Sequence, residues 1–201
     1  MRLVTVSVWT PRRKWLGNLI PALFWMPLAT TGLIIVIRSG QFLGLGLWFL
    51  VAATVVGWFA VNQFGFFEND RMRRQLERIL ASQDRQLPEK RFFVGFASPK
   101  YSNILDAHED VGFLCFEPNS ISFISETRTL QLNRSDIKAL RFRMNPHSVI
   151  FLGRWISIEA KLGGQEIRLQ IEPRERRTLF GNRRFSMTLL KQLQAWLVPV
   201  K

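Results

Sequence analysis

Four side chains able to move protons or hold a cation fall within five positions in LDAHEDVGFL (105–114): Asp106, His108, Glu109 and Asp110. His147, in MNPHSV, is the only other histidine. Two imidazoles and a carboxylate converging on one point would make a facial set for a metal ion, and with it a metal-dependent enzyme. Consecutive positions of one loop cannot all aim at one point, so this reading requires the two histidine turns to meet. A plainer reading is that Asp106 and Asp110 accept hydrogen bonds from turn amides, with Val111 beginning a strand. A third makes the segment a docking loop, with Tyr101, Asp106, His108 and Glu109 as its residues and Tyr101 and His108 as exposed contacts. No Ser-His-Asp order, phosphate loop or Cys-x-x-Cys pattern accompanies the cluster. The expectation is therefore a non-catalytic protein with no cofactor and no metal.

The second candidate is basic. PRERRTLFGNRRF (173–185) sets Arg174, Arg176, Arg177, Arg183 and Arg184 around Leu179 and Phe180. Guanidinium forks match phosphate oxygens, and an exposed apolar tip can enter the acyl boundary of a bilayer. This segment is the expected lipid- or partner-binding site, with Arg141 and Arg143 adding to its field from a neighbouring strand.

The rest of the chain must position these groups. Its 201 residues carry 28 Lys and Arg against 15 Asp and Glu, a net charge of +13. Residues 15–37 contain no charge, nor do residues 39–67. About 20 apolar residues in a helix cross a hydrocarbon core of about 30 Å. We expect a transmembrane hairpin over 15–67, with spans near 16–37 and 42–63. A cleaved signal peptide fits less well, because a second apolar run follows at once. Pro21 and Pro27 predict bends in the first span. The absence of intramembrane charge argues against a transport pathway. Gly40 and Gly44 form a small-xxx-small pair suited to helix packing, and Trp15 and Trp58 suit an interface.

Arg2, Arg12, Arg13 and Lys14 precede the first span, and Arg71, Arg73, Arg74 and Arg78 follow the second, while the connecting turn holds only Arg38. By the positive-inside rule both termini should be cytoplasmic. From residue 85 onward there are 19 Lys and Arg against 11 Asp and Glu. With a membrane so close in sequence, anionic headgroups are the nearer partner for that surface, and no nucleic-acid motif competes. The lone Cys115 permits no internal disulfide.

Residues 1–14 read as a basic cytoplasmic segment. Within it, 3–9 (LVTVSVW) have strand periodicity and suit either an interfacial segment or an extra strand. Residues 68–88 read as an amphipathic helix, capped by Asn69 or Asp70, that either lies on the bilayer or docks on the soluble part. From 89 to 201 the pattern is β: 92–96, 112–117, 120–125, 129–132, 137–143, 148–152, 155–162 and 166–172 are short and alternating. Gly163–Gly164 fits a two-residue primed turn. Trp155 is expected to fill the barrel or its rim. Residues 186–197 follow as a helix with Ser186 as N-cap.

About seven antiparallel strands and a C-terminal amphipathic helix suit a strongly bent sheet or partly open barrel. Within DVGFLCFEPNSISFISETRTLQLNRSDIKALRFR, residues Gly112, Leu114, Ile121, Phe123, Asp136 and Ile137 fall where bacterial pleckstrin-homology-like and GRAM-like domains carry such types. The region 90–198 resembles those domains, though they supply no counterpart of SPKYSNILDAHED. The resemblance implies membrane-surface binding, scaffolding or assembly in a bacterial inner membrane; joined to the basic segment, it gives a scaffold, assembly factor or accessory subunit whose expected partners are anionic lipid, a membrane complex or a second copy. A membrane-anchored sensor of anionic lipid is the alternative, and the His108/His147 metal enzyme the second alternative.

Overall fold

The computed structural model describes residues 7–101, 107–162 and 164–198. The chain divides into two compact units, Pro11–Phe67 and Met1–Thr10 with Glu68–Lys201. In the first, α1 (Pro11–Ser39) and α2 (Leu45–Phe64) pack antiparallel, with Phe24 stacked on Phe64 at 5.3 Å. Both helices are long and apolar enough to cross a membrane.

The helices approach through glycines, though not through Gly40 and Gly44. Gly40 sits in the connecting turn at φ +68°, where a Cβ would touch nothing within 4 Å, and Gly44 caps α2. The close contact is between Gly32 and Gly46. A Cβ on either would lie 2.8 Å from the other's carbonyl oxygen. Those two are fourteen residues apart on different helices, so no i,i+4 motif announces them.

In the second unit, α3 (Asn69–Ser82) leads into β1 (Arg91–Ala97), β2 (Asp110–Phe116), β3 (Ser120–Ser125), β4 (Thr129–Asn133), β5 (Ile137–Arg143), β6 (Trp155–Leu162), β7 (Gln165–Pro173) and α4 (Leu179–Leu197). All neighbours in the sheet are antiparallel, in the order β4-β3-β2-β1-β7-β6-β5. The outermost strands, β4 and β5, are joined by only one 3-10 turn, Arg134–Asp136. Seven strands laid flat would span about 29 Å from first to last, beyond the reach of a three-residue connection. The sheet must therefore curl until its edges meet at that corner.

Strand alternation sorts the side chains to two faces. Val94, Phe96, Leu114, Ile121, Phe123, Leu132, Ile156, Ile158 and Ile171 line the inside of the curl, where Leu189, Leu190 and Leu193 of α4 close it. Trp155 is buried at the start of β6, and Trp196 donates to the Glu117 carbonyl at 2.8 Å. The other face of β1 and β2 is covered too. Met72, Leu76 and Leu80 of α3 pack with Val8 on Phe93, Val111, Phe113 and Cys115. Of the two roles open to the amphipathic helix, docking on the sheet is the one observed.

Three expectations need correction. Residues 148–152 are not a strand. Asn145 and Ser148 cap a 3-10 turn at Pro146–Ser148 through reciprocal hydrogen bonds, and this diverts the chain before an edge can form. The last helix starts at Leu179, not Ser186, because Thr178 accepts from the Gly181 amide as N-cap. Ser186 lies inside that helix and donates to the Arg183 carbonyl. Asn69 does not cap α3, since its side chain is committed to the segment after β7. Residues 1–6 lie outside the described residues. In the remainder of the N-terminal segment, Ser7–Thr10 form no strand, and the Val8 amide donates to Glu126 Oε2 at 2.7 Å.

Candidate functional site

The two histidines do meet. His108 Nε2 and His147 Nδ1 each lie 3.0 Å from Glu172 Oε2. Glu172 follows Ile171 in β7, so it points away from the α4 core and under the covered outer face. In the register of the sheet it sits beside Gly95 of β1. That glycine is required, because a Cβ there would fall inside the His108 ring. Gly153 has the same function on the other side, where a Cβ would strike the Glu172 carboxylate and His147.

His108 is completed by Arg174, whose Nη1 lies 3.3 Å from His108 Nδ1. A guanidinium can only donate, so Nδ1 is the accepting nitrogen and the ring proton is assigned to Nε2, facing Glu172. The neutral imidazole thus bridges a buried cation and a buried anion. Arg174 Nε also donates to Asn69 Oδ1 at 2.8 Å, and its guanidinium lies 4.9 Å from the Trp9 ring centre. Asn69 Nδ2 returns a hydrogen bond to the Arg174 carbonyl, and Trp9 Nε1 donates to the His108 carbonyl. Asn69, His108, Glu172 and Arg174 are all at most 3% exposed, while His147 is half-buried and reaches the surface.

Burial pushes the His108 imidazole down, outweighing the upward pull of Glu172, and Arg174 and His147 add to the lowering. Burial pushes the Glu172 carboxyl up, but the field of His147 and the hydrogen bonds from both imidazoles outweigh it and hold it well below the usual carboxylate range. The result is an ionised carboxylate and a guanidinium linked through neutral imidazole.

This arrangement opposes metal binding at His108, because Arg174 occupies one nitrogen and the other keeps its proton. Among the described residues there is no group of three or more His, Cys, Asp or Glu placed to hold a metal ion. Chemically the cluster is an internal cross-link. It ties the segment before α1 (through Trp9) and the start of α3 (through Asn69) to the sheet.

The other loop residues are occupied locally. Asp106 lies outside the described residues. His108, expected as an exposed contact, is buried. Glu109 accepts from the Ser98 amide and pairs with Arg128 at 3.0 Å. Burial acts to raise its carboxyl, but the bonds from Ser98 and Arg128 leave it lowered. Asp110 opens β2 and organises the β3–β4 turn, accepting from Ser125 Oγ at 2.7 Å and Thr127 Oγ1 at 3.0 Å. Tyr101 is half-buried, in a turn closed by its amide on the Ser98 carbonyl.

The basic segment divides. Arg174 belongs to the buried cluster, and Leu179 is fully buried in the first turn of α4, so neither can meet a ligand. Arg183 donates to the Gly153 carbonyl at 3.3 Å. Arg176, Arg177 and Arg184 remain exposed around an open groove with Thr178, Gly181 and Phe185. Arg184 stacks on the partly exposed Phe180 at 4.6 Å, and Arg176 lies over Phe185 at 5.4 Å. Arg177 is 3.5 Å from Asp70 and almost wholly in solvent. Arg141 and Arg143 share the single Glu159 carboxylate at 2.6 and 2.8 Å, which offsets only one of their two charges.

Glu172 was not identifiable from sequence. It ends an alternating strand at a position that would normally face water. No protein-family model matches this chain, and no curated protein matches it either.

Proposed function

We propose that the chain is a non-catalytic membrane adaptor, a scaffold or accessory subunit in which two spans hold a basic, pleckstrin-homology-like domain at the cytoplasmic face. The observation that carries this reading is the groove at the start of α4. Arg176, Arg177 and Arg184 gather around the first turn of α4, so side-chain charge and helix dipole favour the same anionic guest. The strand order, the curl and the closing α4 support the pleckstrin-homology-like assignment. The polar cluster that might have been catalytic is spent on internal bonds, which favours recognition over chemistry.

The guest is an anionic phospholipid headgroup. Native mass spectrometry of the full chain in mild detergent, offered phosphatidylglycerol and phosphatidylcholine together, tests this. The wild type should retain phosphatidylglycerol preferentially. The triple variant Arg176→Gln, Arg177→Gln, Arg184→Gln should lose several-fold of that preference, the remainder coming from the basic flanks of the spans. An unchanged preference would remove the groove from the proposal.

A further inference from the structure

The turn between β5 and β6 is apolar, exposed and held rigidly. Ser148 Oγ donates to the Gly153 carbonyl at 2.8 Å, the Leu152 amide to the His147 carbonyl at 2.9 Å, and Leu152 is fully buried. From this braced base Met144, Val149 and Phe151 project with 72–75% of their surface exposed, and Ile150 with 37%. Phe151 holds φ at +60°, a conformation that aromatic residues rarely adopt. A soluble surface gains nothing from exposed apolar side chains on one short turn supported by backbone strain.

Charge surrounds the turn. Arg143 precedes Met144, and Arg183 donates to the Gly153 carbonyl. Arg154, stacked on Phe142 at 3.9 Å, bonds Ser186 Oγ and the Arg183 carbonyl, fixing the turn to the first turns of α4. Asn69 donates to the Arg174 and Arg176 carbonyls, and in sequence Glu68 alone stands between it and Phe67.

We propose that residues 144–151 form a membrane-inserting finger. Met144, Val149 and Phe151 enter the acyl boundary of the bilayer, and the surrounding arginines meet headgroup phosphates. The inference rests on 11–67 spanning the membrane and adds a second, peripheral contact that fixes how the β domain faces the lipid.

A fluorescent label at Phe151→Cys in the full chain, reconstituted into vesicles of phosphatidylcholine and phosphatidylglycerol, tests it. The native Cys115 is fully buried with its thiol pushed up to about 11 by burial, so labelling falls on position 151. The label should be quenched by lipids brominated high on the acyl chain and shielded several-fold from aqueous iodide. A label at the exposed Lys161→Cys should show the reverse. A label at 151 open to iodide overturns the proposal. So does one shielded from both quenchers, which would mean burial against protein. Phe151→Gly relaxes the backbone, so it should keep or raise the melting temperature while a label at Val149→Cys loses its bromolipid quenching. A lower melting temperature, or undiminished quenching, counts against the finger. Flotation after alkaline wash tests the spans separately. A chain that floats with an iodide-accessible finger refutes only the finger, and a chain that washes off refutes the spanning reading beneath it.

Discussion

Arg174 and His108, sixty-six residues apart in sequence, meet nitrogen to nitrogen: Nη1 of the first donates to Nδ1 of the second at 3.3 Å. That bond fixes the imidazole tautomer, turns its proton toward Glu172 and joins a buried cation to a buried anion. Removing one member strands the others in a dry site. Arg174→Met should therefore destabilise the β domain by about 3–5 kcal/mol. Arg174→Lys should recover little, because an ammonium cannot reproduce the fork that serves Asn69 and His108 together. Thermal unfolding of the detergent-solubilised chain, followed by tryptophan fluorescence, measures both.

The same cluster predicts acid lability in two stages. The His108 imidazole lies below its ordinary value of 6.5 in the folded protein. As pH falls below 6.5 the unfolded chain binds a proton that the folded one refuses, so stability drops. The Glu172 carboxyl is held below its ordinary value of 4.5, so its contribution is complete above that pH and is lost as pH falls further. Stability should be flat above about pH 6.5, then decline by up to ~1.4 kcal/mol per pH unit for each proton taken up. His108→Asn should remove the upper limb and keep the lower one. Melting temperatures from pH 8 to pH 3 would show it, and an upper limb that persists in the variant would assign it to another group.

Gly95→Ala and Gly153→Ala should each cost roughly 1–3 kcal/mol, since the new methyl displaces His108 in one case and Glu172 with His147 in the other. Because both act on one network, the double variant should lose less than the two separate losses combined. Purely additive melting shifts would show that the two glycines serve unconnected sites.

In the helical unit, Gly32→Ile or Gly46→Ile should force α1 and α2 apart, while Gly44→Ala should be tolerated, its nearest neighbour lying 3.8 Å from the new methyl. Cysteine cross-linking between the helices in micelles reads the difference. Efficient cross-linking in Gly46→Ile would argue against this close approach.

The β pattern was legible because alternation and turn chemistry are local. Seven of the eight expected strands are present, and Leu162 of β6 pairs with Gln165 of β7, while Gly163 of the expected turn lies outside the described residues. Val149–Phe151 misled because their apolar types suit a strand, whereas the capping exchange between Asn145 and Ser148 had already turned the chain. Arg174 and Arg176 look alike in sequence. Only the path of α3 and Trp9 over the sheet decides that one is entombed and the other exposed. For Glu172, strand parity gave the correct face but not the knowledge that this face is covered. Such information lives in tertiary packing, which no window of a single sequence contains.

The position of β1 has a consequence for biosynthesis. It lies between β2 and β7, so one of its edges waits for a partner made about 75 residues later. The apolar helices are complete long before that strand leaves the ribosome. Closure of the β domain is therefore a late event on a chain whose first third has already been made. A truncation that removes β7 would leave an unpaired strand at the centre of the sheet, open to the nearest foreign edge.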